Sequence, residues 1–282
     1  MTMHTDSMDG RILTLMLVLG AAAFPASADT ALEKGYRQMY NLQFERAHQT
    51  FQEWRHLHPD DPMAPASDGA AYLFEEFDRL HILQSEFFTH DQHFITDHKL
   101  QPDPAVKRRF DADLEAARKL AARAPESENN MFALILADGL RSDYMALIEK
   151  RYAASFQEMK SGRLLAERLL AAHPDLYDAW IAIGVENYML SVKPAPMRWL
   201  LRLAGAETSR AVGIEKLRLT AEKGHYLAPF ARLLLAVAAL RDRDVPRARH
   251  LLEGLIREYP QNPLYVQELA HLEVAGPGAL AR

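Results

Sequence analysis

Four histidines, His81, His90, His93 and His98, fall within a short stretch that also holds Asp91 and Asp97. His90 and His93 stand three apart, a spacing that puts both imidazoles on one face of a helical turn. Two imidazoles and a carboxylate are suitable donors for a divalent metal. His90, His93 and His98 are therefore the candidate ligands of a metal-dependent enzyme on a helical scaffold. No H-E-x-x-H pair accompanies them, and solvated or packing histidines account for the same residues. A second set comprises Glu75, Glu76, Asp138 and Glu186, carboxylates set inside apolar, helix-periodic segments. A buried acid can carry a raised pKa and act as a general acid. Arg79, Arg141 and Tyr188 lie close to them in sequence, so hydrogen-bonded links between packed helices are the simpler expectation.

Other chemistry finds no foothold. The chain has no cysteine, which removes disulfides, thiolate nucleophiles and cysteine metal sites. No nucleophile elbow, phosphate loop or dinucleotide fingerprint occurs. No catalytic residue, resident metal or cofactor is expected. A formal charge of −5 with no concentrated basic stripe argues against nucleic acid as a partner. With 49% hydrophobic and 25% charged residues the 282-residue chain is a folded globular protein.

The N-terminus reads as an address. Arg11 precedes the apolar run Ile12–Phe24, and Ala26-Ser27-Ala28 follows. A basic region, a short apolar core and an A-x-A site are the parts of a secretory signal, and the run is shorter than the ~20 residues of a spanning helix. Residues 1–28 are read as a signal peptide, giving an exported, periplasmic protein that starts near Asp29. Residues 29–282 are read as one domain, with at most peripheral membrane contact.

The elements that must position any site are helices. Apolar residues recur at three and four positions, and strand and hairpin signals are nearly absent. Pro59, Pro125, Pro174 and Pro260 mark helix ends. The clearest unit is Pro229–Asn262, with helices over Phe230–Arg241 and Pro246–Glu258 and a turn at Asp242–Asp244. A second unit after Pro174 carries Trp180-x-x-Ile183-Gly184. A first unit has Gly35, then Phe44-Glu45-Arg46-Ala47, Phe51 and Pro59.

These units resemble the tetratricopeptide repeat, well over 31–62 and 174–262 and weakly over 66–173. The resemblance implies an all-α, right-handed superhelix of about five helical hairpins plus a C-terminal capping helix over Leu264–Val274. In the centre, Leu73–Phe88 with Ala105–Ala124, and Met131–Ile148 with Tyr152–Ala172, are predicted as irregular hairpins. An insertion spans 191–206.

The resemblance also implies a concave face built from the first helix of each hairpin. Its lining would be Tyr36, Tyr40, Asp178, Val185, Tyr188, Met189, Phe230, Leu233 and Arg241, a surface for a protein or peptide partner. Ile181, Val185, Leu233 and Val237 stand where some such domains carry a carboxylate clamp, so recognition of a C-terminal carboxylate is not implied. In the insertion, Arg198, Trp199 and Arg202 would contact a partner or a membrane surface, unless Trp199 folds back onto the helices. The expected role is a non-catalytic scaffold or adaptor. Its alternatives are the histidine-centred enzyme and a carrier of an apolar ligand between the central helices.

Overall fold

The computed structural model describes residues 30–83, 100–193, 198–199, 203, 205–206 and 208–279. The leader over 1–28 and the histidines His90, His93 and His98 lie outside the described residues. Eleven α-helices and no strand are found among the described residues.

The helices start where side chains or prolines satisfy their first turns. Thr30 caps α1 (Ala31–Tyr40) in a reciprocal box with Glu33. Next come α2 (Phe44–Leu57) and α3 (Met63–Arg79). Asp103 caps α4 (Pro104–Ala121), accepting from Ala105 N at 2.7 Å. Helix α5 (Glu128–Asp143) runs into a π-helical turn, Tyr144–Ile148, before α6 (Tyr152–Ala172). Helix α7 (Trp180–Ser191) follows a 3-10 turn, and Ser209 caps α8 (Arg210–Lys223). Prolines sit in the first turns of α9 (Ala228–Arg241) and α10 (Val245–Glu258), where their missing N–H costs nothing. The last helix is α11 (Pro263–Ala279).

Consecutive helices pack as pairs: α1/α2, α3/α4, α5/α6, α7/α8 and α9/α10, with α11 against α10. The turns inside four of these pairs share one geometry. Leu42, His81, Lys150 and Arg243 all take the left-handed conformation, with φ of 58–59°. Each is followed by a backbone N–H that reaches back into the preceding helix: Gln43 to Gln38, Ile82 to Phe77, and Asp244 to Ala239, at 2.7–2.9 Å. This is a Schellman ending, made without glycine at a cost of roughly 1 kcal/mol each. At Lys150 the span is one residue longer, Arg151 N to Met145 O, because the π-helical turn adds a residue. Pair endings recur too. His58, His173 and Tyr259 precede Pro59, Pro174 and Pro260 with φ of −130°, −130° and −124°, the extended backbone that proline imposes.

Small residues let helices cross closely. A Cβ on Gly35 would fall 2.2 Å from the Phe51 ring, and one on Gly213 2.6 Å from Tyr188 N. The boundaries predicted for α6 and for the α9/α10 unit are found within two residues. Helix α3 starts at Met63, well before the predicted Leu73. Its first turns, Met63–Ala71, are buried all round, so they show no amphipathic period to read.

The two ends of the array meet. Asn262 Nδ2 donates to Tyr40 O at 2.8 Å, and Gln261 N donates to Asn41 Oδ1 at 3.0 Å. Tyr36 stacks on Tyr226 at 5.0 Å, Tyr40 packs against Tyr259 at 5.5 Å, and Phe74 meets Phe230 edge-on at 5.7 Å. The inner helices therefore converge on a common centre.

Candidate functional site

That centre is a chamber of about 80 Å³, partly open to solvent and overwhelmingly apolar in lining. A space of this size exceeds what a single water needs several-fold. Tyr36, Met39 and Tyr40 of α1 line it, with Ala70 and Phe74 of α3 and Phe230 of α9. Helix α5 contributes Ile135, Gly139 and Asp143, α6 contributes Met159 and Gly162, and α7 contributes Ile181 and Val185.

Few polar groups face it, and most are already paired. Ser67 Oγ donates to the Tyr36 hydroxyl at 3.2 Å, and the Tyr40 hydroxyl donates to Tyr226 O at 3.1 Å. Ser142 Oγ bonds to Ser155 O and Oγ at 3.1 and 2.9 Å. Asp143 differs. It makes no hydrogen bond or ion pair to any described residue, is half-buried, and is one of the residues lining the chamber. Burial alone pushes its carboxyl up to about 7. Gly139, one turn earlier on the same face, is exposed at the chamber's mouth and would carry a Cβ into open space.

The residues predicted as an open concave lining are placed unevenly. Tyr36 and Tyr40 are buried, Tyr188 is 1% exposed, and Asp178 is buried as a structural cap. Asp178 accepts from His225 N, Tyr226 N and Leu227 N at 2.8–3.1 Å, fixing the entry to α9. Burial nevertheless holds its carboxyl above the ordinary range, against those three bonds. Val185, Met189, Phe230, Leu233 and Arg241 are half-buried. Tyr36, Tyr40, Val185 and Phe230 come together at the chamber; Tyr188 does not, packing instead against Gly213 and beneath the Arg210 guanidinium at 5.7 Å. Arg198 is half-buried and donates to Lys193 O at 2.8 Å. Trp199 is 61% exposed and Leu203 69%, so Trp199 does not fold back onto the helices. Arg202 lies outside the described residues.

The carboxylates inside the helices do serve as links. Glu76 takes Arg79 at 2.9 and 2.6 Å and also Asp103 N at 2.8 Å. Asp138 takes Arg118 at 2.9 Å, and Glu186 takes the buried Arg163 at 3.1 Å. Arg141 pairs with Asp111, not with Asp138. Among the described residues no group of three or more histidines and carboxylates is placed to hold a metal.

A buried ionic cluster escaped the sequence reading. His48 Nδ1 bonds Asp68, its Nε2 lies 3.5 Å from Glu75, and Tyr72 stacks on its ring at 3.9 Å. Asp113 lies beside them, paired with Arg55 at 2.9 Å. Burial lowers the His48 pKa, but the hydrogen bond to Asp68 and the nearby carboxylate of Glu75 outweigh it and raise the value to about 9. These groups join α2, α3 and α4 away from the chamber. No helix among the described residues is long and apolar enough to cross a membrane.

Comparison with known proteins returns no match: no family model, curated protein or solved structure is significantly similar to the chain.

Proposed function

We propose that this chain is a non-catalytic binding protein of the tetratricopeptide-like class, whose inner helices hold a small apolar ligand in the central chamber. The observation that carries the reading is the convergence of α1, α3, α5, α6, α7 and α9 on one apolar space. Clefts of this kind, apolar with a few convergent polar groups, are where ligands bind. The recurrent left-handed turns and the five helix pairs support the superhelical repeat. The burial of Tyr36, Tyr40 and Tyr188 weighs against an open peptide groove and in favour of the carrier reading. The leader-like residues 11–28 support export to the periplasm.

Native mass spectrometry of the full chain, mixed with short alkyl alcohols in the absence of detergent, tests the proposal. Adducts of one ligand per chain are expected, and they should weaken in Gly139→Leu, which adds a side chain at the exposed mouth of the chamber beside α5. If wild type and variant give the same adducts, the chamber is not the site.

A second reading has its own observation. Trp199 and Leu203 are exposed apolar side chains on the 191–206 insertion. They support docking of a protein partner at that edge, as aromatic anchors do in interfaces. Trp199→Ala should then weaken capture of the partner in envelope cross-linking without changing helical content.

A further inference from the structure

Resting on the chamber reading above, we infer that the ligand is a small amphiphile with an apolar body and a protonated amine head, seated against the Asp143 carboxylate. Three observations carry this. The first is chemical asymmetry: the serine and tyrosine oxygens on the wall are taken up by protein partners, while Asp143 has none among the described residues. An ionised carboxylate only accepts hydrogen bonds, so its complement is a donor. An ammonium supplies donors and cancels the charge at once, and charge-assisted pairs are the stronger kind.

The second is space. Gly139 stands four residues before Asp143 on the same helical face, and a Cβ there would meet nothing within 4 Å. Glycine inside a helix costs up to about 1 kcal/mol relative to alanine. No close approach of a neighbouring helix accounts for it here, unlike at Gly35 or Gly213. Gly139 is exposed, so this space is the solvent-facing mouth of the chamber, with room beside the acid for the first methylenes of an alkylamine.

The third is backbone geometry. Asp143 is the last α-helical residue before the π-helical turn Tyr144–Ile148, where Glu149 N reaches Tyr144 O at 3.2 Å. Such turns occur frequently at functional sites. A buried acid with no partner also disfavours its own ionisation, which is why burial lifts Asp143 to about 7. An ammonium bound beside it offsets that penalty, which favours binding of an amine at this position.

Isothermal titration calorimetry of the full chain with octylamine, octan-1-ol and octanoate at pH 7.5 separates the possibilities. Octylamine is expected to bind roughly tenfold or more tightly than octan-1-ol, the scale of one charge-assisted hydrogen bond. Octanoate should not bind. In Asp143→Asn the amine preference should disappear while octan-1-ol binding persists, and Asp143→Leu should do the same if the amide disturbs packing. Equal affinities for amine and alcohol in the wild type, or an amine preference that survives Asp143→Asn, would overturn the head-group assignment and leave the apolar chamber standing. Binding of none of the three would overturn the chamber reading as well.

Discussion

Asn262 and Tyr40, 222 residues apart in the chain, are joined by a buried 2.8 Å hydrogen bond from the Asn262 amide to the Tyr40 carbonyl. The same side chain accepts from Leu264 N at 2.9 Å and so caps α11. One residue thus starts the last helix and fastens it to the first. Asn262→Ala removes the cap and leaves the buried Tyr40 carbonyl without this donor. Together these should cost roughly 2–4 kcal/mol of unfolding free energy. Urea unfolding followed by circular dichroism checks this. A loss below about 0.5 kcal/mol would show that water or a neighbour replaces the bond and that closure does not depend on it.

Two glycines should respond in opposite directions. A Cβ on Gly213 would lie 2.6 Å from Tyr188 N, a backbone atom that cannot move aside. Gly213→Ala is expected to destabilise by about 1–3 kcal/mol through overpacking between α7 and α8. Gly139→Ala meets open space and should stabilise by about 0.5–1 kcal/mol through helix propensity. Thermal melts of both variants measure the difference. A destabilised Gly139→Ala would mean that the space beside α5 is smaller than the geometry shows.

The cluster between α2, α3 and α4 predicts a direction of pH dependence. His48 is raised from 6.5 to about 9 by the hydrogen bond to Asp68 and the nearby carboxylate of Glu75, which overcome its burial. A raised folded-state pKa on a base gives stability that is full below pH 6.5 and lost as pH rises towards 9. Asp113 is raised from 3.8 to about 7, by burial first and then by the like charge of Asp68, against Arg55 and His48. A raised acid likewise favours the folded state at low pH and loses that contribution between 3.8 and 7. Stability should therefore fall across pH 6.5–9 on account of His48, and His48→Gln should flatten the curve in that window. Denaturant midpoints at pH 6, 7.5 and 9 provide the comparison; a variant curve parallel to wild type would remove His48 as the cause.

The pair-and-turn pattern was legible because its signals are local. Proline stops and the 3.6-residue period place α6, α9 and α10 nearly to the residue, and five pairs with a closing helix follow from them. The start of α3 was not legible, because burial on every side of Met63–Ala71 erases the period. Tyr36 and Tyr40 read as groove residues until the chain ends meet across contacts such as Tyr40 to Tyr226, 186 residues apart, which no periodicity reports. Asp143 was missed for a related reason. Inside the segment Met131–Ile148, predicted as helix, Asp143 follows Arg141 and Ser142 and carries no motif that marks it as a site. Only the packing of Met159 and Gly162 from α6 and of Val185 from α7 puts it in the chamber.

Asp143 also makes a prediction about stability that needs no ligand. Burial raises its carboxyl from 3.8 to about 7, and desolvation is the sole cause. The folded state therefore prefers the protonated acid, so the contribution is full below pH 3.8 and is lost as pH rises from 3.8 to about 7. Above that pH the ionised group sits against an apolar wall with no partner among the described residues. Asp143→Leu fills the position without charge and should stabilise the empty protein by roughly 1–3 kcal/mol at pH 8. At pH 4, where the folded wild type keeps this acid largely protonated, the gain should shrink. Chemical denaturation of wild type and variant at both pH values tests the sign directly. A variant less stable than wild type at pH 8 would mean that Asp143 has a compensating partner and is not held in reserve for one.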